Sequence, residues 1–126
     1  MANPKLRVLV VNDEPADQLV LERRLKAEPD WDLTVTVVAD GAEAIEALRA
    51  GFFDLAFLDY KLPDMDGIKL LDQVRQLHPK TASVMVSGMG SERLAVEAMK
   101  HGAADFLAAS ELNSADLGRL LRRGLE

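Results

Sequence analysis

The fold is decided by the stretch 53-FDLAFLDYKLPDMDGIKLLDQVRQL-77, which joins a short apolar run to a helical pattern. The run Phe53–Leu58 is nearly all apolar, which is typical of a strand buried on both faces of a sheet. Asp59 follows it directly, and four apolar residues then recur at a helical spacing: Ile68, Leu71, Val74 and Leu77. A strand, a loop and a helix in this order are the repeating unit of an α/β fold.

The same pairing of an apolar run with a helical segment recurs along the rest of the chain. Four further runs have the length and composition of buried strands: Leu6–Val11, Leu33–Val38, Ala82–Val86 and Ala104–Ala108. Apolar stripes of helical period follow them at Leu19–Leu25, Ala44–Leu48, Leu94–Met99 and Leu117–Leu125. Because strand and helix alternate strictly, we expect a doubly wound, flavodoxin-like three-layer sandwich. In this fold five helices cover a five-stranded parallel sheet of order 2-1-3-4-5.

Prolines and glycines fall where the predicted helices begin and end. Pro15 suits the first turn of a helix, where a missing backbone N–H costs nothing. Gly51 and Gly102 each follow a predicted helix, and we expect left-handed caps there. No shift of composition marks a linker, so we predict one domain over residues 1–126.

The composition of the chain argues against several classes of function. The chain has 21 acidic and 15 basic residues, hence a net charge of −6, which disfavours general binding of nucleic acid or anionic membranes. It contains no cysteine, which excludes disulfides, thiolate metal sites and cysteine nucleophiles. No apolar run is long enough for a signal peptide or a membrane span, so we expect a cytoplasmic protein.

Polar residues that end the predicted strands suggest a chemical site. Asp13 and Asp59 follow the first and third strands, and Ser87 ends the fourth. Parallel strands bring their carboxyl ends to one edge, and two carboxylates meeting there repel each other unless a cation lies between them. A site with oxygen ligands and room for water molecules suits Mg²⁺. A carboxylate beside this ion can attack a phosphorus centre, because the metal offsets the charge of the phosphoryl oxygens. Gly88 and Gly90 would allow the backbone to approach a phosphoryl group closely. Alternatively, Asp13 and Asp59 are helix caps or solvated loop acids.

From Leu6 to Leu125 the chain resembles the receiver domains of two-component response regulators. Four stretches carry the resemblance: VLVVNDEP at 8–15, DLAFLDYKLPDMDG at 54–67, VSG at 86–88 and GAADFL at 102–107. The second is the most specific, since it resembles the phosphoacceptor loop of that family.

The resemblance implies roles for six residues. They are Asp59 as phosphoacceptor, Asp13 as direct magnesium ligand, the Lys61 backbone carbonyl as a further ligand, Asn12 as a ligand through water, Ser87 as the hydroxyl switch and Phe106 as the aromatic switch. A histidine kinase or phosphotransfer protein would donate the phosphoryl group. Such a domain catalyses only its own phosphorylation and dephosphorylation. It signals, and can form a homodimer, through the face of its fourth helix, fifth strand and fifth helix.

The chain departs from the family pattern at two places. Ala109 and Ser110 stand where the family has a lysine and a proline with a cis peptide bond between them. A lysine about 4 Å from a phosphoryl oxygen would contribute roughly 4 kcal/mol before desolvation, so its absence should weaken coupling to the signalling face. Without proline a cis bond costs about 3 kcal/mol, so we predict a trans bond and a rearranged loop. Asn12 replaces an acid and should lower magnesium affinity.

Three alternatives stay open at this point. The Lys61 side chain is either a solvated lysine or a substitute cation for the phosphoryl group. The chain could also be a pseudo-receiver that has abandoned phosphorylation and acts only as a protein-interaction module. A magnesium phosphatase with an aspartate nucleophile is less favoured, because such enzymes usually carry a second aspartate where this chain has Lys61.

Overall fold

Strands and helices alternate along the chain in the computed structural model, which describes residues 3–88, 92–112 and 116–125. The elements are β1 (Lys5–Val11), α1 (Pro15–Lys26), β2 (Asp32–Val38), α2 (Gly41–Ala50), β3 (Leu55–Asp59), α3 (Gly67–Leu77), β4 (Ala82–Ser87), α4 (Glu92–Lys100), β5 (Asp105–Ala108) and α5 (Leu117–Gly124). A short 3₁₀ helix, Ala109–Glu111, follows β5. Among these described elements, no helix is long and apolar enough to cross a membrane.

The five strands form one parallel sheet of order β2-β1-β3-β4-β5, which confirms the predicted fold. In the register of this sheet, Asp59 lies opposite Val86, and Ser87 lies opposite Ala108. The carboxyl ends of the three strands β3, β4 and β5 therefore finish at nearly the same level. This places the residues that follow them along one edge.

Apolar side chains of the sheet pack into two separate clusters, one on each face. Val8 and Val10 of β1 join the cluster covered by α1 and α5. Leu9 and Val11 join the cluster covered by α2, α3 and α4. Because β1 contributes to both clusters with fully buried side chains, its sequence is apolar at successive positions instead of alternating.

The helix ends agree with the sequence prediction at Pro15 and Gly102 but not at Gly51. Pro15 is the first residue of α1, and Gly102 has a φ of 95°. Gly51, however, has a φ of −172°, which is extended backbone, so the prediction of a left-handed cap there is wrong. A Cβ at Gly51 would lie 2.8 Å from the Arg7 guanidinium. Backbone conformation therefore does not require glycine here, and the nearest obstacle to a side chain is the mobile end of Arg7.

Candidate functional site

Residues from three strand ends meet around one cavity of about 590 Å³ at the carboxyl edge of the sheet. The predicted residues that line it are Asp13, Asp59, Lys61, Ser87, Gly88 and Ala109. Asp13 follows β1, whereas Asp59 and Ser87 are the last residues of β3 and β4. The prediction that these side chains converge is confirmed for the described residues; Gly90 lies outside them.

The Asp59 carboxyl in this cavity has a raised pKa of about 6. Burial is the largest cause, and the neighbouring charges of Asp13 and Asp17 act in the same direction. Backbone N–H groups of Lys61 and Tyr60 donate to the carboxylate and act in the opposite direction. Because the charges of Asp13 and Asp17 add to the effect of burial, a bound cation would relieve the repulsive part of this shift.

The donors around Asp59 fit a hard divalent cation. Among the described residues, no three His, Cys, Asp or Glu side chains come together as a complete metal cage. An ion held by Asp13 and Asp59 would therefore need a main-chain oxygen and several waters. Mg²⁺ is commonly bound in this manner, through one or two carboxylates with much of its water shell retained.

Asn12 stabilises the loop between β1 and α1 through hydrogen bonds. It is only 2% exposed, and its Oδ1 accepts a hydrogen bond of 2.8 Å from the backbone N–H of Glu14. The Gln18 side-chain amide donates to the Asn12 backbone carbonyl. These bonds turn the chain immediately before α1 and so fix the position of Asp13. An amide oxygen has a second lone pair, which leaves room for a bridging water.

The loop between β3 and α3, residues 60–66, is tied to its surroundings mainly by backbone groups. Lys61 and Asp66 form an antiparallel bridge, and the Gly67 N–H donates to the Tyr60 carbonyl over 2.6 Å. A Cβ at Gly67 would lie 2.6 Å from the carbonyl oxygen of Asp59, so α3 begins directly against the end of β3. The Lys61 main chain is thereby held beside Asp59.

The Asp64 carboxylate anchors this loop to the first turn of α2. It accepts hydrogen bonds of 2.9 Å from the backbone N–H groups of both Gly41 and Ala42. These two bonds lower the pKa of the Asp64 carboxyl. The sequence gives no sign of this contact, because it joins two segments that only the fold brings together.

The β4 and β5 ends present two further predicted residues. Ser87 is 2% exposed and faces the cavity. Phe106 is half-buried and packs against the core cluster beneath α2, α3 and α4. Their positions are compatible with the two switch roles that the resemblance implies, without testing those roles.

Ala109 lines the cavity from the β5 side, where it begins the 3₁₀ helix. No peptide bond within the described parts of the chain is cis, so the predicted trans Ala109–Ser110 bond is confirmed. Sequence reasoning missed Asp17, a third carboxylate at the cavity. An acid in the first turn of a helix is ordinary, so nothing in the sequence marked it as a site residue.

Comparisons with known proteins agree with this geometry. Residues 8–117 match the model of the family described as the response regulator receiver domain. The chain is 32% identical over 107 residues to the transcriptional regulatory protein ZraR of Escherichia coli K12, covering 85% of this chain and 24% of ZraR. It is 37% identical over 114 residues to the response regulator PilR of Pseudomonas aeruginosa, covering 90% of this chain and 24% of PilR. The chain thus spans about a quarter of the length of these curated relatives.

Two solved structures superpose over nearly the whole chain. The response regulator domain of Thermotoga maritima CheB has a TM-score of 0.81 at 26% identity and covers 95% of this chain and 96% of its own. A Burkholderia pseudomallei response regulator with a phosphorylated aspartic acid, a calcium ion and citrate has a TM-score of 0.79 at 25% identity. That match covers 96% of this chain and 66% of the other. On the evidence of the sheet order, the acidic edge and these matches, the chain belongs to the receiver domain family of two-component response regulators.

Proposed function

We propose that Asp59 is the phosphoacceptor of this receiver domain and takes its phosphoryl group from a histidine kinase or a phosphotransfer protein. The observation that carries this proposal is the meeting of Asp59, Asp13 and Ser87 at one cavity on the carboxyl edge. The phosphorylated aspartic acid of the Burkholderia neighbour supports it.

The transfer is a displacement at phosphorus. An Asp59 carboxylate oxygen forms the new P–O bond while the P–N bond to the donor histidine breaks, and the leaving imidazole takes up a proton. Asp59 must be ionised to attack, and with a pKa of about 6 it is mostly ionised at neutral pH. Hydrolysis of the resulting acyl phosphate by water returns the carboxylate and releases inorganic phosphate.

Asp13, Asp59 and the Lys61 backbone carbonyl are the residues that would hold Mg²⁺, with Asn12 contributing through water. When bound, the ion would offset negative charge on the phosphoryl oxygens. The calcium ion of the Burkholderia neighbour supports a site for a hard divalent cation. Asn12 supplies one negative charge fewer than an acid, so magnesium affinity is expected to be modest.

Ser87 and Phe106 would convert phosphorylation into a change of surface. The Ser87 hydroxyl donates a hydrogen bond to a phosphoryl oxygen, and the Phe106 ring turns inward behind it. The affected face consists of α4, β5 and α5, where Val96 and Met99 are exposed apolar side chains on α4. This face takes a protein partner or a second copy of the chain, and the chain's net charge of −6 disfavours nucleic acid.

The domain carries out one step of signal transduction, and the output lies elsewhere. Curated relatives are about four times as long, so the final output is assigned to their remaining parts. We place the domain in the cytoplasm, over residues 1–126, with self-phosphorylation and self-dephosphorylation as its only chemistry. The pseudo-receiver alternative is not favoured, because the acceptor, a metal-binding carboxylate and the hydroxyl all line the cavity.

Intact-protein mass spectrometry after incubation with acetyl phosphate tests this proposal. We expect one phosphoryl group per chain in the presence of Mg²⁺ and none after its removal by chelation. Asp59→Asn should abolish the adduct, whereas the matched variant Asp30→Asn, which changes an exposed acid outside the cavity lining, should keep it. An adduct that forms equally in Asp59→Asn would contradict the assignment.

A further inference from the structure

Negatively charged side chains outnumber positively charged ones among the described residues that line the cavity. Asp13, Asp17 and Asp59 contribute three carboxylates, and Lys61 is the only cationic side chain among the described residues of the lining. A phosphoryl group on Asp59 would add further negative charge. Even with a divalent cation bound, the site would then need another positive group near the phosphoryl oxygens.

Among the described residues that line the cavity, none on the β5 side is cationic. Ala109 presents only a methyl group there, at the start of the 3₁₀ helix. Asp17, at the first turn of α1, adds negative charge, and its own pKa is raised by burial and by Glu14. The described lining outside the β3–α3 loop is therefore neutral or acidic.

Lys61 is well placed to supply the missing charge. Its backbone N–H donates to the Asp59 carboxylate, and the bridge to Asp66 fixes its main chain. Its side chain is exposed, and its ammonium forms no ion pair with any residue in the described parts of the chain. A fixed backbone and an uncommitted, flexible four-carbon stem allow the ammonium to turn onto a group carried by Asp59.

We propose, on the basis of the function proposed above, that the Lys61 ammonium binds the phosphoryl group on Asp59 and is a catalytic residue of the transfer. It donates hydrogen bonds to phosphoryl oxygens as negative charge develops on them, and it neither gains nor loses a proton. The same residue thus serves the site twice, through its backbone carbonyl and through its side chain. Lys61 thereby takes over from the β3 side the task that Ala109 cannot perform from the β5 side.

The experiment compares wild type with Lys61→Ala and Lys61→Arg, and uses Lys69→Ala, an exposed lysine of α3, as control. Two quantities are measured with Mg²⁺ present: the rate of phosphorylation by acetyl phosphate and the affinity for beryllofluoride, a stable phosphoryl mimic. We expect Lys61→Ala to lower both by about tenfold, the loss expected for a charge-assisted hydrogen bond. Lys61→Arg should retain most of the activity, and Lys69→Ala should match wild type. Urea unfolding of each variant checks that the fold is intact.

A double variant separates charge from loop structure. Adding Ala109→Lys to Lys61→Ala restores a cation from the opposite side and should recover most of the lost beryllofluoride affinity. Equal rates and affinities in Lys61→Ala and Lys69→Ala would overturn the inference. A loss shared fully by Lys61→Arg and not recovered by the double variant would also overturn it. Absence of any adduct on the wild-type protein would instead overturn the proposed function itself.

Discussion

The loops after β3 and β5 leave the same edge of the sheet, yet they are held in different ways. Residues 60–66 are fixed by the Lys61–Asp66 bridge, the Gly67 N–H and the two N–H groups that bind Asp64. After β5, the described segment 109–112 is a single 3₁₀ turn, closed by the Leu112 N–H on the Ala109 carbonyl and contacted by the Arg24 guanidinium.

The two sides of the cavity therefore differ in their functional groups. The β3 side presents the Asp59 carboxylate, two backbone donors and a lysine, whereas the described β5 side presents the methyl group of Ala109. The bonds that hold the β3 loop all lie within the protein itself. If Asp59 is the phosphoacceptor, we expect coupling to the face of α4, β5 and α5 to rely on Ser87 and Phe106 more than on a direct charge contact.

The largest effect is expected for Gly67→Ala. The added Cβ would lie 2.6 Å from the Asp59 carbonyl oxygen and 2.7 Å from the Tyr60 Cα, and neither backbone atom can move without shifting the end of β3. We expect a loss of about 3 kcal/mol in the free energy of unfolding, measured by urea titration. Gly88→Ala is the control, because its Cβ would meet no atom within 4 Å. Equal losses in the two variants would show that the β3 loop is not tightly packed.

A smaller effect of opposite sign is expected for Asp59→Asn in the absence of divalent cations. The folded-state pKa is about 6 against 3.8 for the free group, so the native state holds this proton longer than the unfolded state. Wild-type stability therefore falls as pH rises through that window, and the variant lacks this fall. At neutral pH we expect the variant to be more stable by about 1 kcal/mol, after allowance for solvent screening.

Urea unfolding near pH 4 and near pH 7.5 measures this difference between wild type and Asp59→Asn. The gain should be present at the higher pH and nearly absent at the lower one. Saturating Mg²⁺ should reduce it at the higher pH, because the ion stabilises only the form that carries the Asp59 carboxylate. A gain independent of pH would contradict the electrostatic explanation.

The smallest effect on stability is expected for Asp64→Ala, which tests whether the Asp64 carboxylate anchors the β3 loop. The variant removes both acceptors for the Gly41 and Ala42 N–H groups. The pKa of Asp64 is lowered in the fold, so its stabilising contribution is present above the ordinary value and is lost as pH falls through the folded value. Asp64→Ala should be less stable than Asp30→Ala, a control in an exposed loop, at neutral pH but not in acid. An equal stability of the two at neutral pH would remove Asp64 as an anchor.

The order of the sheet could be predicted because buried parallel strands leave an unmistakable pattern of short apolar runs. The exact boundaries of the strands were harder to predict from the sequence. For example, β3 begins at Leu55, although the apolar run starts at Phe53. Phe53 is buried outside the strand, with the Arg7 guanidinium 4.6 Å from its ring centroid. The same arginine lies against Gly51, and no local pattern shows that an arginine in β1 will contact both residues.

Convergence of Asp13, Asp59 and Ser87 could be predicted from topology alone, since each directly follows or ends a strand of one parallel sheet. Asp17 and Asp64 could not, because each looks locally like an ordinary helix-start or loop acid. Their importance comes from distant partners, Asp59 in one case and the first turn of α2 in the other. Such contacts are properties of the packed fold.

Locating the phosphoryl group within the chain shows whether Asp59 is the phosphoacceptor. Borohydride reduces an aspartyl phosphate to homoserine, so peptide mass spectrometry after phosphorylation in Mg²⁺ and reduction reads out the modified position. The account predicts homoserine at position 59 alone, even though the carboxylates of Asp13 and Asp17 line the same cavity. Homoserine at position 13 or 17, or an unmodified Asp59 in a chain that carries the adduct, would contradict it.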